Sequence, residues 1–123
     1  MIFRLKTSKK TMVIFDDLQK KTNLKPFALA KLAIALSLKK DYESLKFNTD
    51  ANGLDLNKQT ITGKFDVMYR CLIEQHCGKH LKDEEYFPKH MKAHIDRGAI
   101  LLAEEYKYAK DFLFHLANLE ESI

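Results

Sequence analysis

Hydrophobic and polar positions alternate at the start of the chain, where Phe3 and Leu5 take turns with Arg4 and Lys6. A period of two is typical of a β-strand, so we predict a short strand over residues 2–7. Successive side chains of a strand point to opposite faces. Phe3 and Leu5 should therefore be buried, and the two cations should project from the other face.

Helical spacing of apolar residues follows the predicted strand. One stripe predicts a helix over residues 9–22, formed by Met12, Ile14, Phe15 and Leu18. Ser8 or Thr7 can cap its start. Asn23 suits its end, because asparagine tolerates the left-handed conformation better than most residues.

A second helix is predicted from Pro26 to about Lys39, since proline is favoured at the first helical position. Ten of the twelve residues from Phe27 to Leu38 are hydrophobic. A helix that is apolar on nearly all sides must be buried on more than one side. We therefore expect it to be a central helix that also contacts another subunit.

The remainder is predicted to be helical after a turn-rich stretch over residues 47–62. That stretch contains the turn signal Asn52-Gly53 and allows a short extended piece around Leu54 and Leu56. Further helices are predicted from Phe65 to a stop near Gly78, from Asp83 onward, and in a last amphipathic stretch, Tyr106–Leu119. These elements predict one mainly α domain over residues 1–123, a small helical domain with a short N-terminal strand.

Composition narrows the class of protein. The 123 residues are 46% hydrophobic and 31% charged, which fits one compact domain and argues against disorder. The two cysteines do not form a disulfide framework, so a reducing, cytoplasmic location is expected. We find neither a segment of about 20 apolar residues nor a signal-peptide core, and predict no membrane association.

Charge is distributed unevenly along the chain. Residues 1–46 carry 11 basic and 4 acidic residues, a net charge of +7, whereas the rest of the chain has a net charge of −3. We call residues 1–46 the basic front and residues 63–123 the helical remainder. Such a bias favours a polyanion as partner, although an ordinary solvated face gives the same pattern.

The basic front has the element order of a ribbon-helix-helix DNA-binding protein: strand, helix, turn, helix. In that architecture the strands of two chains pair into a ribbon that reaches a DNA groove. Arg4 and Lys6 would then point outward, and Lys25-Pro26 would lie at a helix N-terminus where free N–H groups can hold a phosphate. A frayed strand with ordinary surface lysines is the alternative interpretation.

No catalytic or metal signature is complete. His76/His80 and His90/His94 have the i,i+4 spacing of metal-binding pairs, and Cys77 lies beside the first pair. Gly78 interrupts that pair, however, and buried or surface histidines explain the pattern more simply. Gly63-Lys64 and Gly78-Lys79 look like fragments of a phosphate loop, but Lys58 stands where the first glycine would fall. We predict no enzyme activity, no metal and no cofactor.

Several segments resemble one known family. They are Phe3–Ser8, the turn Thr22–Pro26, the run Ala30–Ala33, Asp50–Gly53 with Thr62-Gly63, and Ala93–Gly98. In these segments the chain resembles the DndE proteins of the bacterial DNA sulfur-modification (phosphorothioation) system, through about Glu105. It departs from them in carrying Lys25 where the turn often has Thr or Ser, and in a longer segment after Tyr106.

The resemblance implies a ribbon-helix-helix-like front, a homotetramer, and binding to the DNA backbone with a preference for nicked duplex. It also implies partnership with the enzymes that replace a non-bridging phosphate oxygen by sulfur. We expect a non-enzymatic DNA-binding subunit of that system. The expected DNA contacts are the cations of the front: Arg4, Lys6, Lys9, Lys10, Lys20, Lys21, Lys25 and Lys31. Two alternatives stay open: a ribbon-helix-helix transcriptional regulator that reads bases with Arg4 and Lys6, and a helical adaptor that scaffolds partner enzymes.

Overall fold

The computed structural model describes the backbone of residues 3–121 and the side chains of residues 3–111. This part of the chain is mainly helical, with a short two-stranded antiparallel sheet, which confirms the predicted fold class. The elements follow in the order β1 (Arg4–Lys6), α1 (Lys9–Thr22), α2 (Pro26–Leu38), β2 (Asp55–Asn57), α3 (Lys58–Ile61), a 3₁₀ turn (Gly63–Phe65), α4 (Asp66–Cys77), α5 (Asp83–Glu85), a π-helical segment (Tyr86–Met91) and α6 (Lys92–Glu121).

The sheet is formed within the chain. β1 pairs antiparallel with β2, and Leu5 lies opposite Leu56 with both side chains buried. Arg4 and Lys6 are exposed, as the alternation predicts. The predicted burial of Phe3 is wrong: its side chain is 54% exposed, although its carbonyl accepts the Lys58 N–H at 2.7 Å. The strand partner that a ribbon would take from a second chain is supplied here by residues of the same chain.

The two helices of the front begin and end almost where the sequence predicts. The Ser8 hydroxyl caps α1 by accepting the N–H of Thr11 at 3.1 Å. Asn23 ends α1 in the left-handed conformation, with φ of 63°. Pro26 opens α2, which ends one residue before the predicted limit at Lys39.

Only one side of helix α2 packs into the core. Leu29, Ala30, Ala33 and Ile34 are buried in the core, which α2 shares with α6. Leu32 on its other side is 44% exposed. The expected second subunit on that side stays a prediction.

A glycine allows α2 and α6 to approach closely. A Cβ built on Gly98 would lie 1.8 Å from the carbonyl oxygen of Ala33, far inside van der Waals contact. Only a residue without a side chain fits at this crossing.

The second half of the chain agrees with the prediction in part. α4 ends at Gly78, which adopts a φ of 81°, and a helix begins at Asp83 as expected. The last amphipathic stretch is part of α6, which runs without a break through Tyr106 to Glu121. The predicted apolar side chains from Phe112 to Leu119 lie outside the described side chains. Sequence patterning also missed α3 and the π-helical segment, which contains Pro88, a residue without an N–H to donate.

Candidate nucleic-acid interface

The two cations of β1 differ in their local electrostatics. Arg4 lies 3.5 Å from the carboxylate of Asp55 on the neighbouring strand, so part of its charge is balanced. Lys6 is exposed and makes no ion pair with the described residues. Surface pairs such as Arg4–Asp55 are weak and are easily replaced by a phosphate.

Lys9 and Lys10 stand at the N-terminus of α1, where the helix dipole disfavours positive charge. The first turn has no acidic residue of its own. Instead, the carboxylate of Asp96 accepts the Ser8 N–H at 3.0 Å, and that of Asp50 accepts the Lys9 N–H at 2.9 Å. The N–H groups of Lys9 and Asn52, both donated to Asp50, hold the pKa of that carboxyl below its usual value.

Asp96 is the buried centre of this arrangement. Besides the Ser8 N–H, it accepts the hydroxyls of Thr11 at 2.7 Å and Thr49 at 2.6 Å, and its side chain is 3% exposed. The Lys92 ammonium lies 2.6 Å from its second oxygen and compensates the buried charge. Lys92 also donates to Thr49, so the loop before β2 is fastened to α1 and α6 together.

Asp96 and Asp50 therefore occupy the Ser8 and Lys9 N–H groups, and the Ser8 hydroxyl occupies that of Thr11. A phosphate at this end would meet the side chains of Lys9 and Lys10 rather than these three N–H groups. Both lysines are exposed and without an ion pair among the described residues. Among the lysines of α1, these two are the ones without a carboxylate partner in the described part of the chain.

Lys20 and Lys21, near the other end of α1, are paired on their own helix. Lys20 lies 3.1 Å from Asp16, and Lys21 lies 3.0 Å from Asp17. The Lys21 ammonium also lies 5.8 Å from the ring centroid of Tyr106 on α6. The net charge around this pair of lysines is thus close to zero.

Lys25 and Lys31 occupy two different settings on α2. Lys25 is the N-cap residue, makes no side-chain cap and is exposed. Lys31 lies 5.6 Å from the ring centroid of Phe27 and borders an apolar groove between α2 and α4. The structure thus groups Arg4, Lys6, Lys9 and Lys10 around β1 and the start of α1, and places Lys31 beside an apolar surface.

The groove between α2 and α4 has a volume of about 430 Å³. Its walls include Ile34, Leu38 and Tyr69. Several large apolar side chains of α2, of α4 and of the 3₁₀ turn before α4 are more than a third exposed, and we call them the α2–α4 surface: Phe27, Leu32, Phe65, Val67, Met68 and Leu72. Exposed apolar residues in such number are typical of a contact with another protein.

The histidines are grouped differently from the sequence pairs. His80 is fully exposed beside Glu74, whereas the His76 ring lies 5.0 Å from that of His94. His94 is completely buried, and its Nδ1 lies 2.8 Å from the Ser37 hydroxyl. No three metal-ligating side chains converge within the described residues.

Arg97 forms hydrogen bonds with residues at and just after the C-terminal end of α2. Its Nε donates to the Ser37 hydroxyl at 2.8 Å, and its Nη2 donates to the Ser37 carbonyl at 2.6 Å. Its Nη1 donates to the carbonyl of Asp41 at 2.7 Å. Burial lowers the pKa of this guanidinium below its usual value, and the same burial, with His76 and Arg97 nearby, lowers the pKa of His94 to about 3.

Sequence reasoning missed the structural roles of Lys92, His94, Asp96 and Arg97. The available signal is polarity at buried helical positions, because these residues surround Ile95 and Ala99 on the core side of α6. It also missed Phe47, an exposed ring outside any helix. Separately, none of the described helices is long and apolar enough to cross a membrane.

Comparison with known proteins identifies the family. The family described as "DNA sulphur modification protein DndE" matches residues 4–110. The crystal structure of DndE from Escherichia coli B7A, involved in DNA phosphorothioation modification, superposes with a TM-score of 0.67 at 22% identity, covering 83% of this chain and 97% of that one.

The crystal structure of a DndE G21/24K mutant gives a TM-score of 0.60, also at 22% identity, and covers 85% of this chain and 99% of that one. No match was found among the curated proteins. The structural likeness establishes a shared fold, and the family match covers most of the chain. The chain therefore belongs to the DndE family of DNA sulphur-modification proteins.

Proposed function

We propose that this chain is a non-enzymatic DNA-binding subunit of the DNA phosphorothioation system, which grips the DNA backbone beside the sulfur-transfer enzymes. The observation that carries the proposal is the group of exposed, unpaired cations around β1 and the start of α1. Lys6, Lys9 and Lys10 make no ion pair with the described residues, and Arg4 has a weak, exposed one.

The physical basis is counterion release. Lysines and arginines that contact phosphates release condensed cations from DNA, a term that depends on salt and hardly on sequence. Three N–H groups at the start of α1 already have acceptors, those of Ser8, Lys9 and Thr11, so the side-chain ammonium groups provide this contact. Backbone gripping with low sequence specificity follows.

Assembly would strengthen a weak contact. The α2–α4 surface leaves Leu32 44% and Met68 59% exposed, which supports a homo-oligomer, with four copies as the family resemblance implies. Several basic fronts on one particle act at a high effective concentration on the same DNA. Preference for nicked duplex is part of this proposal and is tested by the same binding assay.

The hydrogen bonds of one thiol, Cys77, support a role without a catalytic step at that residue. Cys77 donates its thiol to the backbone carbonyls of Glu74 and Lys79 instead of a base. A reactive cysteine is normally found beside a cation or a base that favours the thiolate.

The test compares two sets of charge-removing variants. Fluorescence anisotropy with a labelled duplex, intact or nicked, measures the affinity at several salt concentrations. Replacing Lys6, Lys9 and Lys10 by Gln should lower the log–log salt slope by about two to three units, since each phosphate contact contributes close to one. Lys64→Gln with Lys79→Gln removes exposed charges outside β1 and α1 and serves as the control. An unchanged slope in the triple variant contradicts the proposal.

The adaptor interpretation remains the second candidate, because the exposed α2–α4 surface is also suited to docking a partner enzyme. A sulfur-modification enzyme that binds a Met68→Asp variant as well as wild type would argue against it. The regulator interpretation loses support from the pairing of β1 with β2, which occupies one edge of the strand.

A further inference from the structure

The segment between α2 and β2 is irregular but firmly held. Leu45 within it is buried, and the chain turns over residues 42–45 through a hydrogen bond from the Leu45 N–H to the Tyr42 carbonyl at 3.0 Å. Three further hydrogen bonds tie it to helices: the Lys40 carbonyl to His76 Nε2 at 2.6 Å, the Asp41 carbonyl to Arg97, and the Thr49 hydroxyl to Asp96. A segment fixed at so many points presents its side chains in defined positions.

Three rings form what we call the aromatic platform: Tyr42, Phe47 and His90. The Phe47 ring centroid lies 4.8 Å from that of buried His90. Tyr42 lies parallel to His90 at 6.1 Å, within 4°. Phe47 is nevertheless 47% exposed, so the platform supports a phenylalanine ring that remains accessible to solvent.

Three lysines of this segment are available to an anionic ligand. Lys39, Lys40 and Lys46 are exposed, and none of them makes an ion pair with the described residues. The carboxylate of Asp41 is engaged by the N–H and hydroxyl of Ser44, which hold its pKa below the usual value. Glu43 and Asp50 are the other acidic side chains of the segment, and the Asp50 carboxylate accepts the N–H groups of Lys9 and Asn52.

We propose that the aromatic platform binds an unpaired base of single-stranded DNA, with Phe47 stacking on the base and Lys46 contacting the phosphate backbone. An accessible aromatic ring among lysines is the usual construction of a single-strand site, because every base has a face to stack. An acidic peptide would satisfy the lysines but would leave the phenylalanine ring without a planar partner.

The platform adjoins the proposed duplex contacts. Phe47 precedes Asp50 by three residues, a chain length of at most about 11 Å, and Asp50 accepts the N–H of Lys9. A strand leaving the platform can therefore continue toward Lys9 and Lys10. The inference rests on the proposed function in taking DNA as the ligand, but it concerns a separate surface.

The experiment measures affinity for a labelled single-stranded oligothymidylate and for an intact duplex of the same length. Phe47→Ala should weaken single-strand binding about tenfold, which is within the range for the loss of one stacked base. Duplex binding should change less than about twofold, and Phe47→Trp should retain single-strand binding, because a larger ring also stacks. Circular dichroism checks that each variant is folded.

The matched control is Phe65→Ala, since Phe65 is 52% exposed and has its own lysine, Lys64, 5.3 Å from its ring. It should leave the ratio of single-strand to duplex affinity unchanged. 2-Aminopurine in the oligonucleotide gives a second measurement: its fluorescence should change on binding to wild type but not to Phe47→Ala.

Specific outcomes separate the two proposals. Single-strand binding that is lost in Phe47→Ala, in a protein that does not bind duplex, would support the platform and refute the duplex-binding role. Equal single-strand affinity in wild type and Phe47→Ala, or an equal loss for both DNA forms, would overturn the platform. Competition by polyglutamate that requires Phe47 would overturn it too, in favour of an acidic protein partner.

Discussion

Acid should destabilise this protein through one buried histidine, His94. Its side chain is completely buried, and its pKa falls to about 3, mainly because burial disfavours the charged imidazolium. Arg97 donates to the Ser37 hydroxyl, which leaves the hydroxyl proton for His94 Nδ1. His94 is therefore held as a neutral acceptor beside a permanent positive charge.

The direction and size of the effect follow from proton linkage. The unfolded chain, in which histidine has a pKa of 6.5, binds more protons than the folded one between that value and about 3. The stability that His94 contributes is thus complete above the unfolded value and is lost as the pH falls toward about 3. Between about pH 7.5 and about pH 5 the loss from this one group is about 2 kcal/mol.

The assay is urea unfolding at both pH values, followed by far-UV circular dichroism, for wild type and His94→Gln. Glutamine can replace the hydrogen bond to Ser37 but does not titrate. Acidic side chains with lowered pKa values, such as Asp41 and Glu74, titrate in both proteins and cancel in the comparison, as does His90, whose pKa burial also lowers. Wild type should lose about 2 kcal/mol more than the variant between the two pH values. Equal losses would show that His94 is not held neutral, and the reasoning would be refuted.

Three further predictions use the same structure. Asp96→Asn should lower the free energy of unfolding in urea by about 2–4 kcal/mol, because it leaves the Lys92 ammonium without its buried counterion. The control Asp16→Asn, at an exposed ion pair, should change that free energy little, and similar losses in both variants would contradict the role of Asp96. Gly98→Ala should lower the free energy of unfolding by at least about 3 kcal/mol, since the new Cβ would overlap the Ala33 carbonyl. Ala103→Gly in the same helix should lower it by about 1 kcal/mol, and a stable Gly98→Ala protein would refute the close approach. Leu32→Asp should lower the mass in light scattering without unfolding the chain, because Leu32 is 44% exposed in one copy, and an unchanged mass would place any interface elsewhere.

The front could be predicted closely because its signals are local. Ser8, Asn23 and Pro26 each define a helix end through their own backbone preferences, and all three are found at those ends. Contacts between residues far apart in the sequence leave no such local signal, and these were missed. β1 takes its partner from residues 55–57, and nothing near Phe3 in the sequence indicates where that pairing begins.

In the candidate site, too, contacts between residues close in the sequence could be predicted, and contacts between distant residues could not. The pairing of Lys20 with Asp16 and of Lys21 with Asp17 has the i,i+4 spacing that a helix brings together, so it was available in the sequence. The freedom of Lys9 was not available. The two carboxylates at the start of α1 come from distant parts of the chain, Asp50 from 41 residues beyond Lys9 and Asp96 from 88 residues beyond Ser8.

The segment Ala93–Gly98, which marks the chain as a DndE protein, is a structural junction and not a chemical site. His94 and Arg97 bind the end of α2, Asp96 binds the start of α1, and Gly98 admits the backbone of α2. These contacts are buried or partly buried, and they join α6 to both helices of the front. The exposed ammonium groups of Lys9 and Lys46 take no part in them. The segment that carries the resemblance to the family therefore says little about DNA contact, and the binding surface of this chain has to be established from its own exposed charges and rings.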